Sequence, residues 1–288
     1  MKVLVTGING FIGKNLAEYL IGQGIEVIGI YRTNKPMNIN CKLIKADLWS
    51  DNLQSVLNEN SIEAVVHLAG QMRGIYVHEY LENTIYATCK LIEYAEENKI
   101  KTFIYASSIS TYGDTFGEVN ESSDQINLDD YGMSKYFCER LLEDSVIRNR
   151  YVIRLPRTLG KYCDLSYPWI PKLTNDLLNG KDIYYMNPAL EYNNMAYIMD
   201  VMEFIHKLLI SQTDEFQRFV LGAEDKKTIL EIVKYIKELT ASTSKLIEKR
   251  SGGRNKCYSI DISKAKKHGF YGRSVEDILY NFVKDIKE

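Results

Sequence analysis

Residues 2–13 read KVLVTGINGFIG, an apolar run that passes directly into a turn containing three glycines. The run is short enough for a buried strand, and a helical pattern of apolar residues starts at Phe11. Gly7, Gly10 and Gly13 let the backbone approach a ligand, and the following helix directs its N–H groups and positive dipole end at that ligand. This junction predicts a cradle for the pyrophosphate of a dinucleotide.

Short apolar runs alternate with helical patterns up to about residue 155, which is typical of a parallel sheet covered on both faces. The alternation predicts a fold of the α/β class, a Rossmann-type doubly wound parallel sheet with its ligand crevice at the carboxyl ends of the strands. The predicted strands are 2–6, 25–30, 42–45, 63–67, 101–107 and 150–154. The predicted helices between them are 11–23, 79–99 and 131–148.

The composition changes after Pro156, because residues 161–194 contain three of the five prolines among aromatic and polar side chains. We therefore expect residues 1–160 to form the dinucleotide-binding domain and residues 161–288 a smaller C-terminal portion that binds the substrate. The segment 192–222 is expected to return to the first domain. Later helices are predicted at 198–210, 228–240 and 274–286, with a strand at 216–221.

Charge and cysteine usage exclude several classes of partner. A formal net charge of -2 provides no basic field for nucleic acid or an anionic membrane. The five cysteines are widely spread without a Cys-x-x-Cys pair, and the four histidines lack ligand spacing, so we expect no disulfide framework and no metal. Met1 leads straight into the first strand and no stretch is apolar enough to span a bilayer, so a cytoplasmic location is expected.

Two polar segments follow predicted strands or open predicted helices. Residues 107–113 read SSISTYG at a strand end, and residues 131–135 read YGMSK at the start of a helix. Tyr131 and Lys135 are four residues apart and share a helix face, where an ammonium group lowers the pKa of a phenol. A phenol poised in this way is an acid-base catalyst near neutral pH.

The spacing Tyr-x-x-x-Lys also occurs at Tyr31, Tyr86 and Tyr280. Only Tyr131 follows a serine-rich strand end and begins a helix on the nucleotide-binding side, so Tyr131 is predicted to be the catalytic copy. The other three copies are interpreted as exposed pairs.

Five motifs in this order, TGINGFIG, HLAG at 67–70, SSISTYG, YGMSK and RLP at 154–156, resemble the extended short-chain dehydrogenase/reductase family. Members of that family epimerise, dehydrate or reduce nucleotide sugars. The resemblance covers nearly the whole chain. It implies a nucleotide-sugar substrate and a possible homodimer through the helices at 79–99 and 131–148, packed as a four-helix bundle.

The resemblance also implies residue roles. Ser108 would hydrogen-bond the substrate oxygen that Tyr131 protonates or deprotonates, and Lys135 would hold the nicotinamide ribose and tune Tyr131. The cofactor contacts would come from the glycine loop and the strand ends: Gly7, Gly10, Phe11, Ile12, Gly13, Tyr31, Arg32, Thr33, Asp47, Leu48, Leu68, Ala69, Gly70, Ser107, Tyr131, Lys135 and Pro156.

Substrate contacts are less specific. Arg73 is either a solvated charge or a ligand of a substrate phosphate, Asn83 is either a helix residue or a group near the active site, and Ser110 lies beside Ser108. His67 is interpreted as a structural histidine at a strand end. Further candidates in the substrate-binding portion are Lys172, Tyr192, Asn193, Asn194 and Arg250.

Two departures from the family pattern narrow the function. The acidic residue that normally ends the second strand and binds the ribose 2'-hydroxyl of NAD is replaced by Tyr31, followed by Arg32 and Thr33, which predicts a preference for NADP(H) with NAD(H) as the alternative. Dehydrating members carry an Asp-Glu pair after the catalytic Ser or Thr, whereas Ile109 and Ser110 stand here, which argues against a dehydratase.

A reductase of a 4-keto nucleotide sugar is therefore the first hypothesis, because reductases consume NADPH whereas epimerases of the family mostly keep NAD bound. The alternative is a nucleotide-sugar 4-epimerase that oxidises and reduces the same carbon. A third hypothesis is a dinucleotide-sensing regulator without turnover, which the presence of Ser108, Tyr131 and Lys135 disfavours.

Overall fold

The computed structural model describes residues 1–57, 60–72, 74, 76–166, 169–249 and 258–288. Arg73 and Arg250 lie outside the described residues. The chain divides into two compact units. The first consists of residues 1–113, 125–155 and 202–219, and the second of residues 114–124, 156–201 and 220–288.

A seven-stranded sheet of order β12-β7-β5-β4-β1-β2-β3 is the centre of the first unit. The strand pairs β1–β2, β1–β4, β2–β3, β4–β5 and β5–β7 are all parallel. The strands are β1 Lys2–Thr6, β2 Glu26–Tyr31, β3 Lys42–Lys45, β4 Ala64–His67, β5 Thr102–Ser108, β7 Asn149–Leu155 and β12 Phe216–Val220. The predicted Rossmann-type α/β class is confirmed.

Strands β4 and β5 are buried along their whole length. A sheet covered on both faces buries both sides of each strand, which is why these strands are continuous runs of mostly apolar residues. Leu4, Val65 and Phe103 from three neighbouring strands belong to one hydrophobic core. The register pairs Thr6 with His67, so the carboxyl ends of β1 and β4 lie side by side. Polar residues that follow these strands are thereby brought to one edge of the sheet.

The helices before β7 are α1 Phe11–Gly22, α2 Leu53–Leu57, α3 Val77–Tyr80, α4 Ala87–Glu97 and α5 Asp130–Glu143. The single helix predicted at 79–99 is divided, because a π-helical turn at Leu81–Tyr86 separates α3 from α4. Such turns are rare and are often found at functional sites. We call Leu81–Tyr86 the π-turn.

The helix predicted at 131–148 ends earlier, at Glu143. The Ser145 hydroxyl donates to the Leu142 carbonyl at 2.9 Å, and the Arg150 guanidinium donates to the Glu143 carbonyl at 3.0 Å. These side chains satisfy carbonyl groups at the helix end, so the chain can turn toward β7 without continuing the helix.

The second unit contains short strands in pairs. Strand β6 Gly117–Val119 pairs with β15 Tyr258–Ile260, β8 Arg157–Leu159 with β11 Met195–Tyr197, β9 Ile183–Tyr185 with β14 Leu246–Glu248, and β10 Glu191–Tyr192 with β13 Lys227–Thr228. The later helices of the chain are α6 Trp169–Leu178, α7 Ile198–Ile210, α8 Ile229–Leu239, α9 Ser263–Lys267 and α10 Val275–Lys287. Within the described ranges, no helix combines the length and apolarity needed to cross a bilayer.

Candidate active site

The turn between β1 and α1 is packed so closely that it admits only glycine. Gly7 has a positive φ of 69°, and a Cβ there would lie 2.8 Å from the Ala69 nitrogen. A Cβ on Gly13 would lie 2.2 Å from the Gly7 carbonyl oxygen. Gly10 caps α1 without a side-chain hydrogen bond, so no side chain of the cap covers the N-terminus beginning at Phe11 and Ile12. This glycine cradle fits a pyrophosphate against a helix N-terminus.

Replacing Gly13 with Ala is expected to reduce the affinity for NAD(P)H by at least about tenfold, because the new methyl group would displace the Gly7 carbonyl. Fluorescence titration with NADPH and NADH measures the effect. Gly22→Ala is the matched control, since Gly22 ends the same helix and its Cβ would meet nothing within 4 Å. Equal affinities of the two variants would contradict the assignment of this turn.

The end of β2 is joined to the π-turn. Tyr31 ends the strand, and the exposed Arg32 donates a hydrogen bond to the Asn83 amide oxygen. Thr33 follows and is also exposed. The structure thus brings together two predicted site residues, Arg32 and Asn83, that are 51 positions apart in sequence. Their polar groups form one accessible surface at this strand end.

Two residues after β3 were also predicted to contact the cofactor. The Asp47 carboxylate accepts from the Trp49 backbone nitrogen at 3.3 Å, and Leu48 is buried in the hydrophobic core with Ala46. Asp47 is partly exposed and remains available to a ligand. Leu48 reaches the core with its side chain, so only a small part of its surface is accessible.

His67 at the end of β4 is bonded through both ring nitrogens. Thr88 donates its hydroxyl hydrogen to the Thr84 carbonyl, so it accepts from His67 Nε2 at 3.0 Å. His67 Nδ1 therefore accepts from the Thr6 hydroxyl at 2.6 Å. Burial, assisted by the positive charge of Lys135, lowers the pKa of His67 to about 3. The ring is neutral and has the role of a structural histidine.

The Thr6 hydroxyl also holds the segment after β4. It accepts from the backbone nitrogens of Leu68 at 3.2 Å and Ala69 at 3.1 Å. The next residue, Gly70, approaches the site from the other side: a Cβ on it would lie 3.3 Å from Lys135 Nζ. Leu68 and Ala69 are partly exposed and Gly70 is exposed, so this segment forms an accessible wall beside Lys135.

Ser108 ends β5 and caps a 3-10 turn at Ile109–Tyr112. Its hydroxyl oxygen accepts from the Ser110 backbone nitrogen at 3.1 Å and donates to the Ser110 hydroxyl at 3.2 Å. The start of α5 packs directly on this turn, because a Cβ on Gly132 would lie only 2.4 Å from the Ser110 carbonyl oxygen. Gly132 thereby explains the glycine in YGMSK: it lets Tyr131 approach the Ser108 turn.

Tyr131 lies in the first turn of α5, where the Asp129 side chain caps the helix by accepting from the Gly132 nitrogen at 2.7 Å. The Tyr131 ring is partly buried and lies 6.4 Å from the ring of Tyr80, centroid to centroid. The aromatic neighbour supports the ring, so the phenol is directed by packing as well as by the helix.

Lys135 is buried one turn further along α5. Its ammonium donates to the Ala106 carbonyl at 2.8 Å and lies 4.8 Å from the centroid of the Tyr105 ring. Burial lowers the pKa of Lys135 to about 8, while Cys138 and Glu139 oppose the decrease. Ser108 thus lies at the end of β5, and Tyr131 and Lys135 lie on successive turns of α5, the helix that packs against the turn after Ser108.

Sequence reasoning missed Glu139 as a member of this region. Its carboxylate is fully buried and accepts at 2.5 Å from Ser107, a residue that the sequence assigned to the cofactor. Its position four residues after Lys135 in α5 was a usable signal, because it places an acidic residue on the same buried helix face as Lys135.

Several candidates of the substrate-binding portion lie in the second unit. Asn193 is fully engaged, since its amide donates to the Ile260 and Ala223 carbonyls at 2.8 and 3.3 Å and accepts from the Ile260 nitrogen at 2.9 Å. Asn193 therefore has a structural role. Lys172 pairs with Asp176, and the Tyr192 hydroxyl donates to the Asn194 carbonyl at 3.1 Å. Pro156 directly follows β7.

An open cavity of about 450 Å³ lies in the second unit. Its lining is mostly apolar and aromatic, with Trp169, Tyr185 and Leu190 beside Lys172 and Asp176. Among the described side chains, no group of three or more His, Cys, Asp and Glu is arranged to hold a metal ion.

The chain matches one protein-family model over most of its length. The model of the NAD-dependent epimerase/dehydratase family matches residues 3–222. The chain belongs to this family. The predicted family and the predicted enzyme class are thereby confirmed.

Three similar proteins align with this chain over nearly their whole length. The uncharacterized UDP-glucose epimerase YtcB of Bacillus subtilis is 27% identical over 315 residues, which cover 98% of this chain and 97% of the relative. Among solved structures, the UDP-glucuronic acid 4-epimerase of Bacillus cereus in complex with UDP-glucuronic acid and NAD is 25% identical with a TM-score of 0.83, covering 100% and 99% of the two chains. The UDP-glucose 4-epimerase of Thermotoga maritima is 22% identical with a TM-score of 0.88 and the same coverage, which supports the fold.

Proposed function

We propose that this family member is an NADP(H)-dependent reductase of a 4-keto nucleotide sugar. The observation that carries the proposal is the end of β2, where Tyr31 and Arg32 replace an acidic residue and the Arg32 guanidinium lies against Asn83. A guanidinium suits a 2'-phosphate through paired, charge-assisted hydrogen bonds, whereas a carboxylate would repel it. The nucleotide-sugar class is supported by the names of the full-length relatives.

The residues at the carboxyl edge of the sheet would then divide the chemistry. When bound, the reduced nicotinamide supplies a hydride. Ser108 would donate a hydrogen bond to the keto oxygen of the substrate, and Tyr131 would transfer its phenolic proton to that oxygen as the alcohol forms. Lys135 would hold the nicotinamide ribose and stabilise the Tyr131 phenolate by its positive charge. Ile109 and Ser110, which follow Ser108, provide no carboxylate for water elimination.

The cofactor assignment predicts a selective effect of Arg32→Ala. NADPH affinity should fall by about 10- to 100-fold, since a charge-assisted hydrogen bond contributes about 1.5–3 kcal/mol, while NADH affinity should change little. Lys35→Ala is the matched control because it removes the same charge from an exposed residue three positions away. Equal losses for NADPH and NADH, or tighter binding of NADH by the unmodified protein, would contradict the preference.

The reaction itself is tested on freshly purified protein. Mass spectrometry of the dinucleotide released on denaturation, together with NADPH turnover on a panel of 4-keto nucleotide sugars, distinguishes the hypotheses. An empty site that prefers NADPH and oxidation of NADPH by a keto sugar would support the reductase. Binding of NADPH without turnover of any sugar in the panel would instead favour a non-catalytic regulator.

A nucleotide-sugar 4-epimerase is the second candidate, favoured by the epimerases among the relatives and by NAD in the Bacillus cereus complex. The same three residues would serve it, because oxidation and reduction of one carbon require the same proton donor and acceptor. Stoichiometric, tightly held NAD in the released fraction, with interconversion of UDP-sugar epimers, would establish this candidate in place of the reductase.

We also propose the division of labour expected from the sequence. The dinucleotide would be held by residues 1–160, and the segment 192–222 would belong partly with them, while residues 161–288 would bind the nucleotide sugar. The cavity beside Trp169 and Tyr185 is the candidate for its nucleotide portion because aromatic and apolar walls suit a base.

A homodimer is proposed through α5 and the π-turn. Met133 is 58% exposed and Phe137 50% exposed on α5, and Tyr86 is 51% exposed at the end of the π-turn. Large apolar side chains grouped on neighbouring helices are typical of an association surface. Light scattering that gave the mass of a single 33.2-kDa chain would refute the dimer. The cytoplasmic location stays a prediction from the sequence.

A further inference from the structure

Glu139 is a fully buried carboxylate at which three elements of the first unit meet. On β7, the Arg154 guanidinium donates to its two oxygens from Nε at 3.0 Å and Nη2 at 2.9 Å. On β12, Arg218 donates from Nε at 2.8 Å. On β5, the Ser107 hydroxyl donates at 2.5 Å. A buried carboxylate with this many charge-assisted bonds holds its neighbours in one arrangement.

The positions of these partners connect Glu139 to the proposed catalytic residues. Ser107 directly precedes Ser108 in β5, so the bond from Ser107 anchors the strand end that presents Ser108. Glu139 itself lies one helical turn after Lys135 on the buried face of α5. The carboxylate therefore ties the turn of α5 that carries Lys135 to the end of β5.

The charges around Lys135 are unevenly distributed. The neutral His67 of β4, Tyr105 of β5 and Cys138 of its own helix interact with Lys135, and Tyr131 lies one turn earlier on the same helix. Glu139 is faced by the cations Arg154 and Arg218, and the Arg154 guanidinium also lies 4.7 Å from the centroid of the Tyr112 ring. On α5, Glu139 is the acidic residue nearest in sequence to Lys135, four positions after it. Without Glu139, the buried Arg154 guanidinium would lose its paired carboxylate, and Arg218 would retain Glu143 at 3.3 Å.

We infer that Glu139 is a positioning residue, which fixes the Lys135 turn of α5 against the end of β5 and supplies the negative charge that keeps the buried Lys135 ammonium protonated. Burial lowers the pKa of Lys135 to about 8, and the charge of Glu139 acts in the opposite direction. The importance of a charged Lys135 for turnover rests on the proposed function, whereas its titration can be measured without any substrate.

The experiment is an NMR titration of protein labelled with ¹³C at lysine Cε, in which Lys135 is assigned by the signal that disappears in Lys135→Arg. Glu139→Gln keeps an amide in the same place but removes the charge, so the pKa of Lys135 should fall by on the order of one unit or more. Asp144→Asn is the control, because it removes an acidic charge at the C-terminal end of the same helix from a side chain that is 71% exposed and is paired with Arg140 at 3.6 Å.

Arg218→Gln gives a test of sign. It removes one cation that faces Glu139 from a side chain that is 17% exposed, so the pKa of Lys135 should rise in this variant. Opposite shifts in Glu139→Gln and Arg218→Gln, with no shift in Asp144→Asn, would establish the inference. An unchanged Lys135 titration in folded Glu139→Gln would overturn it. If Glu139→Gln does not fold, the absence of an upward shift in Arg218→Gln would overturn it equally.

Discussion

Replacing Tyr131 with Phe should lower turnover by about 10³-fold while leaving NADPH affinity nearly unchanged. The phenylalanine ring can keep its position beside Tyr80, whose ring lies 6.4 Å away, so the change removes only the hydroxyl group. The proton that the alcohol product needs then has no donor on α5. The measurement combines kcat for a keto nucleotide sugar with a fluorescence titration of NADPH.

Two companion variants make the result specific. Lys135→Ala should weaken both turnover and cofactor affinity, since the Lys135 ammonium lies within 3.3 Å of the Cβ position of Gly70 in the proposed cofactor wall. Tyr136→Phe, which removes a hydroxyl from the same helix, should change neither quantity. A loss of NADPH affinity in Tyr131→Phe parallel to its loss of turnover would show that the phenol serves the cofactor and not the substrate.

The second large effect concerns stability in acid. His67 is neutral because burial lowers its pKa to about 3 from 6.5. The unfolded chain therefore binds a proton at His67 below pH 6.5, whereas the folded protein does not until about pH 3. The contribution of the neutral His67 to the free energy of unfolding is fully present above pH 6.5. It is lost progressively as the pH falls toward 3, and the total loss is about 5 kcal/mol. That loss is of the same order as the whole free energy of unfolding of a typical domain.

Chemical denaturation between pH 8 and pH 4 measures this loss. The His67→Gln variant should show a smaller decrease in the free energy of unfolding with falling pH. The glutamine amide cannot take up the proton, although it can still donate toward Thr88. His268→Gln is the control because His268 is exposed, with its ring bonded to the Lys264 carbonyl at 2.9 Å. The same acid slope in His67→Gln and in the unmodified protein would refute a buried neutral histidine as the cause.

Much of the fold was accessible to sequence reasoning because its signals are local. The predicted strand 42–45 is β3, and 2–6 is β1, since buried parallel strands are short apolar runs. The turn at Gly7 and Gly13 was equally legible, because only glycine tolerates backbone atoms as close as 2.2 Å to its Cβ position. The π-turn escaped prediction, since Leu81–Tyr86 has the composition of an ordinary helix.

The candidate site was predictable only in part. Ser108, Tyr131 and Lys135 were found from motif and spacing, and the structure places them around one strand end, while their roles stay proposals. The position of Asn83 beside Arg32 was not predictable, because the two residues lie on different elements. Helix α5 also ends at Glu143 and not at 148, because Ser145 and Arg150 bond the last carbonyls and permit the turn.

By itself, the sequence determined the parallel sheet, the glycine cradle and the Tyr-Lys pair, because side-chain periodicity and glycine geometry act over a few residues. Tertiary structure alone decided how the buried charges are compensated. Glu139 meets Ser107, Arg154 and Arg218 across 32, 15 and 79 positions of the chain. A buried polar group must bond whatever the packed elements bring to it, and that partner is fixed by the arrangement of helices and strands and not by distance along the chain.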